Sequence, residues 1–317
     1  MQAVIYNEYG GSEVLRVAEV EEPHAGPGQV RLKVMAVGVN PIDYKIRYGW
    51  LHQLFPMHFP AVPGCEVAGI VDEVGEGVAG LSVGDEVLGF PVAGVTGADA
   101  SYAGVTGAYA QYALAKPADI APKPAGLSWE LAAAMPVGVE TSDRVLGLLK
   151  VTAGETLLIH GAAGAAGSAG VQIAVSRGAT VIGTASEANH DYLRSLGAVP
   201  VTYGDGVVDR VRAAAPQGID AVFDAGVDAL DISMELRGGT TDRIVTIHDQ
   251  RAFELGITMS TGPRQQQFAP ELAEYARMAA DGRLTVRIDR TLPLAEAARA
   301  LELSEAGHPR GKLVLLP

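Results

Sequence analysis

Residues 156–174 read Thr156-Leu-Leu-Ile-His-Gly-Ala-Ala-Gly-Ala-Ala-Gly-Ser-Ala-Gly-Val-Gln-Ile-Ala174. The stretch opens on a short apolar run, Thr156 to Ile159, of the kind that makes a strand buried on both faces. It turns through residues with almost no side chain, His160 to Gly167. It continues with small and apolar residues at helical spacing, among them Ala169, Val171, Ile173 and Ala174. Strand, tight turn and helix in this order let backbone N–H groups approach a pyrophosphate while the helix N-terminus faces its charge. The dinucleotide fingerprint G-x-G-x-x-G reads here Ala162-Ala163-Gly164-Ala165-Ala166-Gly167, with alanine in place of the first glycine. A helix over Ser168–Gly178 and a second strand over Ala179–Thr184 complete a βαβ unit of the expected size.

Downstream the alternation continues. Strands are predicted at Val199–Thr202, Ile219–Phe223 and Arg243–Ile247, and helices at Val207–Ala215 and Ala229–Leu236. Such alternation specifies a parallel sheet with helices on both faces, whose ligands bind at the carboxyl ends of the strands. Gly226 and His248 fall at such ends. Upstream, residues 1–120 are rich in valine, glycine and turn signals. Met1–Tyr6, Leu15–Val20, Gln29–Val39, Glu66–Val74 and Glu86–Leu88 read as strands, a spacing that suits a twisted barrel-like domain. Ala121-Pro-Lys-Pro-Ala-Gly126 is a domain junction by composition, and Ser128 is an N-cap opening a helix. Another helix, about Val139–Leu149, leads into the glycine-rich turn. Near the end, helices over Pro270–Ala280 and Pro293–Leu303 flank a strand at Thr285–Ile288. Gly311-Lys-Leu-Val-Leu-Leu-Pro317 is an apolar terminal strand expected to return to the first domain.

The totals narrow the function. A chain of 317 residues suits two domains. The net charge of −13 argues against nucleic acid or an anionic membrane as partner. No apolar run is long enough for a bilayer, and the N-terminus reads as a strand rather than a signal peptide, so a cytoplasmic protein is expected. The lone cysteine, Cys65, excludes an internal disulfide and a multi-cysteine zinc lobe. With no base beside it in sequence, Cys65 reads as a small buried side chain rather than a nucleophile. Asp43 and Arg47 stand four apart, the spacing of a helical ion pair. The hexapeptide Ala93-Gly-Val-Thr-Gly-Ala98 recurs at Ala103–Ala108, which lengthens a loop carrying Tyr102 and Tyr109.

Several motifs in one order carry a resemblance. They are Asn40-Pro-Ile-Asp-Tyr-Lys-Ile-Arg47, Pro63-Gly-Cys-Glu-Val-Ala-Gly69, Val83-Gly-Asp-Glu-Val87, Gly107-Ala-Tyr-Ala-Gln-Tyr112, the Pro136–Thr141 segment, the glycine-rich turn and Arg310-Gly-Lys-Leu-Val314. Together they resemble the zinc-free quinone oxidoreductase branch of the medium-chain dehydrogenase/reductase family. The resemblance implies an α/β chain in two parts. A GroES-like twisted β-barrel catalytic domain would span 1–122, completed by 263–317. A Rossmann domain with a doubly wound parallel sheet would span 123–262.

Zinc-dependent relatives place cysteine where Asn40 stands and histidine where Cys65 stands, so no three-ligand zinc site is expected. The resemblance puts Asn40 and Thr141 beside the nicotinamide, with Gly311 and Lys312 close by. Ala163, Gly164, Ala165, Ala166 and Gly167 would hold the pyrophosphate, Tyr203 would pack near the adenosine, and Gly226, Ile247 and His248 would border the cofactor. The second strand ends in Thr184-Ala-Ser186, without the carboxylate that NAD enzymes use for the ribose hydroxyls, which fits NADPH. Many NADPH-using relatives carry lysine where Asn189 stands. Ser186, Asn189, His190 and Arg194 would have to bind the 2′-phosphate, against Glu187.

The implied activity is zinc-independent hydride transfer from NADPH to a quinone or to the C=C bond of an α,β-unsaturated carbonyl, in a homodimer. Donors for the developing oxyanion are sought among Tyr44, Tyr48, Tyr102 and His248. Enoyl-thioester reduction, a tailoring reduction in secondary metabolism, and a non-catalytic NADPH-binding redox sensor remain open alternatives.

Overall fold

The structure, a computed structural model, describes residues 1–92, 107–226, 228–261, 267–307 and 309–317. It divides into two units, one of residues 1–137 with 262–317 and one of residues 138–261.

The first unit is built on strands. β1 (Gln2–Ile5) and β2 (Arg16–Glu19) form an antiparallel pair. β3 (Val30–Val39) is the longest strand, and its burial alternates where the sequence alternates: Val30, Leu32 and Val34 point inward, while Arg31 and Lys33 are more exposed. α1 (Pro41–Arg47) follows directly. β4 (Val67–Val74) pairs antiparallel with β3, and two register shifts in that pairing bend the strands as bulges do. β5 (Glu86–Gly89), β6 (Tyr112–Ala115) and β7 (Ile120–Pro122) complete the central part. α2 (Trp129–Ala134) starts at Ser128, whose hydroxyl accepts the Leu131 N–H at 3.2 Å. Residues 123–137 thus pack with the first unit, α2 lying against β3 and β4.

The second unit is the parallel sheet. After α3 (Pro136–Leu149) come β8 (Thr156–His160), α4 (Ala165–Ser176), β9 (Thr180–Ala185), α5 (His190–Ser195), β10 (Val199–Thr202), α6 (Val207–Ala214), β11 (Ala221–Asp224), α7 (Leu230–Leu236), β12 (Ile244–Thr246), α8 (Ala252–Leu255) and β13 (Thr258–Met259). The strand order is β10-β9-β8-β11-β12-β13, all parallel. The order reverses beside β8, the position at which doubly wound sheets bind ligands. β8 is buried throughout, as its unbroken apolar run requires.

The chain then returns to the first unit with α9 (Ala269–Ala280), β14 (Ile288–Pro293), α10 (Ala297–Glu305) and β15 (Lys312–Leu316). β15 pairs antiparallel with β3 and parallel with β14, closing the order β14-β15-β3-β4-β5-β7, with β6 also on β3. The expected strand at Thr285–Ile288 lies further on. β14 carries Asp289 and Arg290 and sits at the edge of the sheet, where charges are tolerated and the apolar signal is weak. β6 and β7 are likewise additions to the sequence reading, short and built largely of small residues. No helix among the described residues is long and apolar enough to cross a membrane.

Candidate functional site

In the second unit the turn after β8 explains the missing fingerprint glycine. Gly161 takes the left-handed conformation (φ 66°) that the sharp turn requires. Ala162 is therefore free to carry a methyl group; it is fully buried, and its N–H donates to the Thr184 carbonyl at 3.1 Å. Gly167 has no room for a side chain, because a Cβ there would collide with the Gly161 carbonyl and Ala162 Cα. Helix α4 begins at Ala165, earlier than the sequence reading, with Gly164 as an exposed N-cap. Its first-turn N–H groups lack intrahelical acceptors, and Ala163, Ala165 and Ala166 add only methyl groups around them. Small side chains, free donors and a helix dipole make a cradle that fits a pyrophosphate.

A polar row crosses the same carboxyl edge. Thr184, His160, Asp224 and Thr246 are register neighbours on adjacent strands, and all four are buried. His160 Nδ1 meets Thr184 Oγ1 at 3.1 Å, and burial holds the imidazole pKa down to about 4. The Thr246 hydroxyl donates to Asp224, and Asp224 Oδ1 accepts the Gly226 N–H at 3.1 Å. Thr246 Oγ1 also accepts the N–H groups of His248 (3.3 Å) and Asp249 (3.2 Å). Burial raises the Asp224 pKa. Asp224 thus holds the loops after β11 and β12, including Gly226 and His248. Ile247 joins them through its N–H on the Asp224 carbonyl, 3.1 Å. His160 Nε2 and Asp224 Oδ2 are buried without a protein partner. The sequence signal for this row was polar residues ending four apolar strands.

Around the end of β9, Asn189 Nδ2 donates to Ser186 Oγ (3.0 Å), and His190 Nε2 lies 3.4 Å from Thr202 Oγ1. Arg194 is paired with Asp191 on its own helix at 2.6 Å. Tyr203, just past β10, is 60% exposed. Thr141 is half-buried on α3.

In the first unit the decisive cluster is buried. Asn40 caps α1, and its N–H donates to Asp43 Oδ2 at 2.8 Å. Its side chain is engaged on both sides: Oδ1 accepts from Lys312 Nζ (2.6 Å) and Nδ2 donates to Glu66 Oε1 (2.8 Å). Lys312 also pairs with Glu66 Oε1, and Glu66 Oε2 accepts the Val137 N–H at 2.8 Å. Glu66 lies within a quoted motif but drew no role from the sequence. At Gly311, before Lys312, a Cβ would collide with the Arg287 carbonyl, so there is no space for a side chain.

Asp43 accepts from the Tyr109 hydroxyl (3.1 Å) and from the Cys65 thiol, and burial lifts its pKa to about 6. Burial also pushes the Cys65 thiol up, which keeps it protonated and inert. The expected Asp43–Arg47 pair is replaced: Arg47, fully buried, reaches Glu305 at 3.5 Å, because Asp43 faces Asn40 and Tyr109 instead.

Of the sought donors, Tyr48 stacks on Trp50 (4.7 Å between ring centroids), and its hydroxyl donates to Glu305 at 2.9 Å, which raises its pKa. Tyr44 is half-buried, edge-on to Trp50. His248 donates from Nε2 to the Gly226 carbonyl. Tyr102 lies outside the described residues, as does most of the repeat at 93–108. Burial lowers the pKa of Lys45, a donor on α1 that the sequence reading did not weigh.

Comparison with known proteins agrees with this geometry. Residues 26–125 match the alcohol dehydrogenase GroES-like domain and residues 196–315 the zinc-binding dehydrogenase domain. The chain is 32% identical over 340 residues to a quinone oxidoreductase of Sus scrofa, covering all of this chain and 98% of that protein. The chain belongs to the medium-chain dehydrogenase/reductase family. Within that family it is also 30% identical to the chloroplastic NADPH-dependent alkenal/one oxidoreductase of Arabidopsis thaliana, covering all of this chain and 80% of the relative. A third relative is the spectinabilin polyketide synthase system protein NorB of Streptomyces orinoci, 35% identical over 91% of this chain and 13% of that protein. The structure of the quinone oxidoreductase from Coxiella burnetii superposes with a TM-score of 0.85 at 30% identity, covering all of this chain and 99% of the other. Family membership makes this chain an oxidoreductase that binds a nicotinamide nucleotide at the Rossmann unit.

Proposed function

We propose that this oxidoreductase uses NADPH, without zinc, to reduce a quinone or the C=C bond of an α,β-unsaturated carbonyl. The observation that carries the reading is the engagement of Asn40 by Lys312 and Glu66. The positions at which zinc-dependent relatives hold metal ligands are filled here by an amide and a buried thiol. An ammonium already neutralises the adjacent carboxylate, so a dication there would meet like charge at close range. Among the described residues no group of three or more His, Cys, Asp or Glu is arranged to hold a metal ion.

Without a Lewis acid to polarise an ordinary carbonyl, the acceptor has to be electrophilic by itself. Quinones and conjugated enones meet that need. The names of the quinone and alkenal/one relatives support the same class. The nicotinamide, when bound, supplies the hydride. The residues of this chain supply the rest: the 161–167 turn and the α4 N-terminus hold the pyrophosphate, and Asp224 sets the loops bearing Gly226 and His248. Ser186, Asn189, His190 and Arg194 are the polar groups around the end of β9 that a 2′-phosphate would meet; residues 184–186 carry no carboxylate, and Glu187 is the one that follows.

A second reading, enoyl-thioester reduction, is favoured by the match to the polyketide synthase protein. It uses the same chemistry on a thioester-conjugated C=C bond. The test is steady NADPH oxidation by chelator-treated protein with a benzoquinone, an alkenone and a crotonyl thioester side by side. Turnover with the quinone or alkenone that persists in the chelator is expected. Activity that vanishes in the chelator and returns with zinc would overturn the reading. A preference for the thioester would select the second one.

A further inference from the structure

We infer that Arg210, on the first turns of α6, is a positioning residue for the nucleotide site, acting through Tyr203. Its guanidinium donates to four consecutive backbone carbonyls: Nε to Thr202 (3.0 Å), Nη2 to Tyr203 and Gly204 (3.3 Å each), and Nη1 to Asp205 (2.8 Å). Four successive carbonyls aimed at one cation curl the loop after β10 inward on its backbone side. Gly204 and Gly206 adopt left-handed conformations (φ 87° and 74°) that permit the curl. The Tyr203 side chain is thereby turned outward, and among the described residues it is one of the most exposed large hydrophobic side chains.

The placement of that ring is specific. Thr202 pairs in register with Ala185, so Tyr203 stands level with Ser186 at the carboxyl edge of two adjacent parallel strands. Open-sheet folds receive the nucleotide at that edge. The loop has little packing to hold it. A Cβ at Gly204 would meet nothing within 4 Å, and beside the loop a shallow open depression of about 400 Å³ lies between β10, α6 and His190, with Arg210 in its wall. The cation therefore stands in for packing. Only a planar fork with several donors reaches four carbonyls, so lysine would not replace it. None of the motifs behind the family resemblance includes residue 210.

The inference rests on the reading of Tyr203 as the residue beside the adenosine, and its test separates the two. Affinity for 2′,5′-ADP, the adenosine half of the cofactor, is measured by calorimetry for the native protein, Arg210→Gln, Arg210→Lys, Tyr203→Ala and the double variant Arg210→Gln/Tyr203→Ala. Freeing one ring and its loop should weaken binding about 5- to 10-fold in each single variant. The double variant should be no weaker than Tyr203→Ala alone, since the two changes remove one contribution. Arg210→Lys should fail to restore affinity. The KM for NADPH should rise while kcat at saturating NADPH stays unchanged, a split that general loss of structure would not give. If Arg210→Gln unfolds, Arg210→Lys carries the same comparison. Weakened binding in Tyr203→Ala with native affinity in both Arg210 variants overturns the inference alone. Additive losses overturn it as well. Native affinity in Tyr203→Ala overturns it together with the reading of the adenosine end.

Discussion

In the turn at 161–167 the candidate ligand groups are the backbone N–H donors at the start of α4, flanked by side chains pared to hydrogen or methyl. Around Asn40 they are side chains, and nearly every polar atom already has a partner: Lys312 and Glu66 on the amide, Val137 on Glu66, Tyr109 and Cys65 on Asp43. The first region is left open for a ligand that brings its own charge. The second is closed around charges of its own. An open backbone cradle costs little stability and is lost to any bulky intruder. A closed ionic cluster is rigid, but removing one member leaves another uncompensated in a poorly solvated place. The two regions should therefore fail differently.

The largest effect is expected in the closed cluster. Lys312→Met leaves Glu66 buried without its counter-charge and should cost about 3–5 kcal/mol of stability by urea denaturation. Adding Glu66→Gln should recover at least half of that loss. A single variant as stable as the native chain would show that the cluster is not closed in the sense described.

The open turn should respond in affinity instead. Ala165→Trp places an indole at the first residue of α4, and NADPH binding followed by fluorescence should weaken at least about 100-fold, roughly 2.7 kcal/mol. The urea midpoint should change little. A variant that binds normally would remove the turn from the nucleotide site.

Much of this contrast follows from how far each feature reaches along the chain. The β8–α4 unit is written in consecutive residues, so the strand, the turn and the replaced fingerprint glycine were all legible. That Gly161 takes the left-handed position was not, because the fingerprint alone does not say which glycine bends. The partners of Asn40 come from 26 and 272 residues away, and no periodicity links them. Only the motif resemblance gathered Asn40 and Lys312 into one neighbourhood, and it left out Glu66, which joins them. The same distance hid the partner of Arg47: spacing offered Asp43 on the same helix, whereas folding brought Glu305 from 258 residues on. Edge strands such as β14 were misplaced because charged residues are acceptable there and blur the alternation.

The two regions also titrate in opposite senses. His160, beside the open turn, has its pKa lowered by burial to about 4. Its contribution to stability is complete above the ordinary value of about 6.5 and is lost as pH falls toward 4. Asp43, in the closed cluster, has its pKa raised by burial to about 6. Its contribution is complete below about 3.9 and is lost as pH rises toward 6. Each amounts to about 3 kcal/mol across its window. Between these limits the slopes offset each other in the native chain. His160→Asn should abolish the acid-side loss, and Asp43→Asn should abolish the gain on acidification. Urea denaturation at about pH 4.5 and pH 7 resolves both; slopes unchanged in either variant would contradict the assignment.

The smallest effects are expected from the side chains sought as proton donors. Tyr48 is bound to Glu305, Tyr44 is wedged against Trp50, and His248 spends its Nε2 proton on the Gly226 carbonyl. Tyr44→Phe, Tyr48→Phe and His248→Ala should each lower turnover by less than about 100-fold, in line with protonation of the reduced product by water. A loss beyond about 1,000-fold in one of them, with NADPH affinity intact, would identify a proton donor.

Direct, metal-free hydride transfer from NADPH to an electrophilic acceptor, as proposed above, moves one identifiable hydrogen. It is tested most directly by following the transferred hydrogen. NADPH deuterated on either face of C4 is supplied with an alkenone in ordinary water containing a chelator, and the product is analysed by mass spectrometry and NMR. One deuterium per product molecule is expected, located at the β-carbon, from one face of the cofactor only, with a solvent proton at the α-carbon. Deuterium absent from the product, or transfer only after zinc is restored, would contradict it.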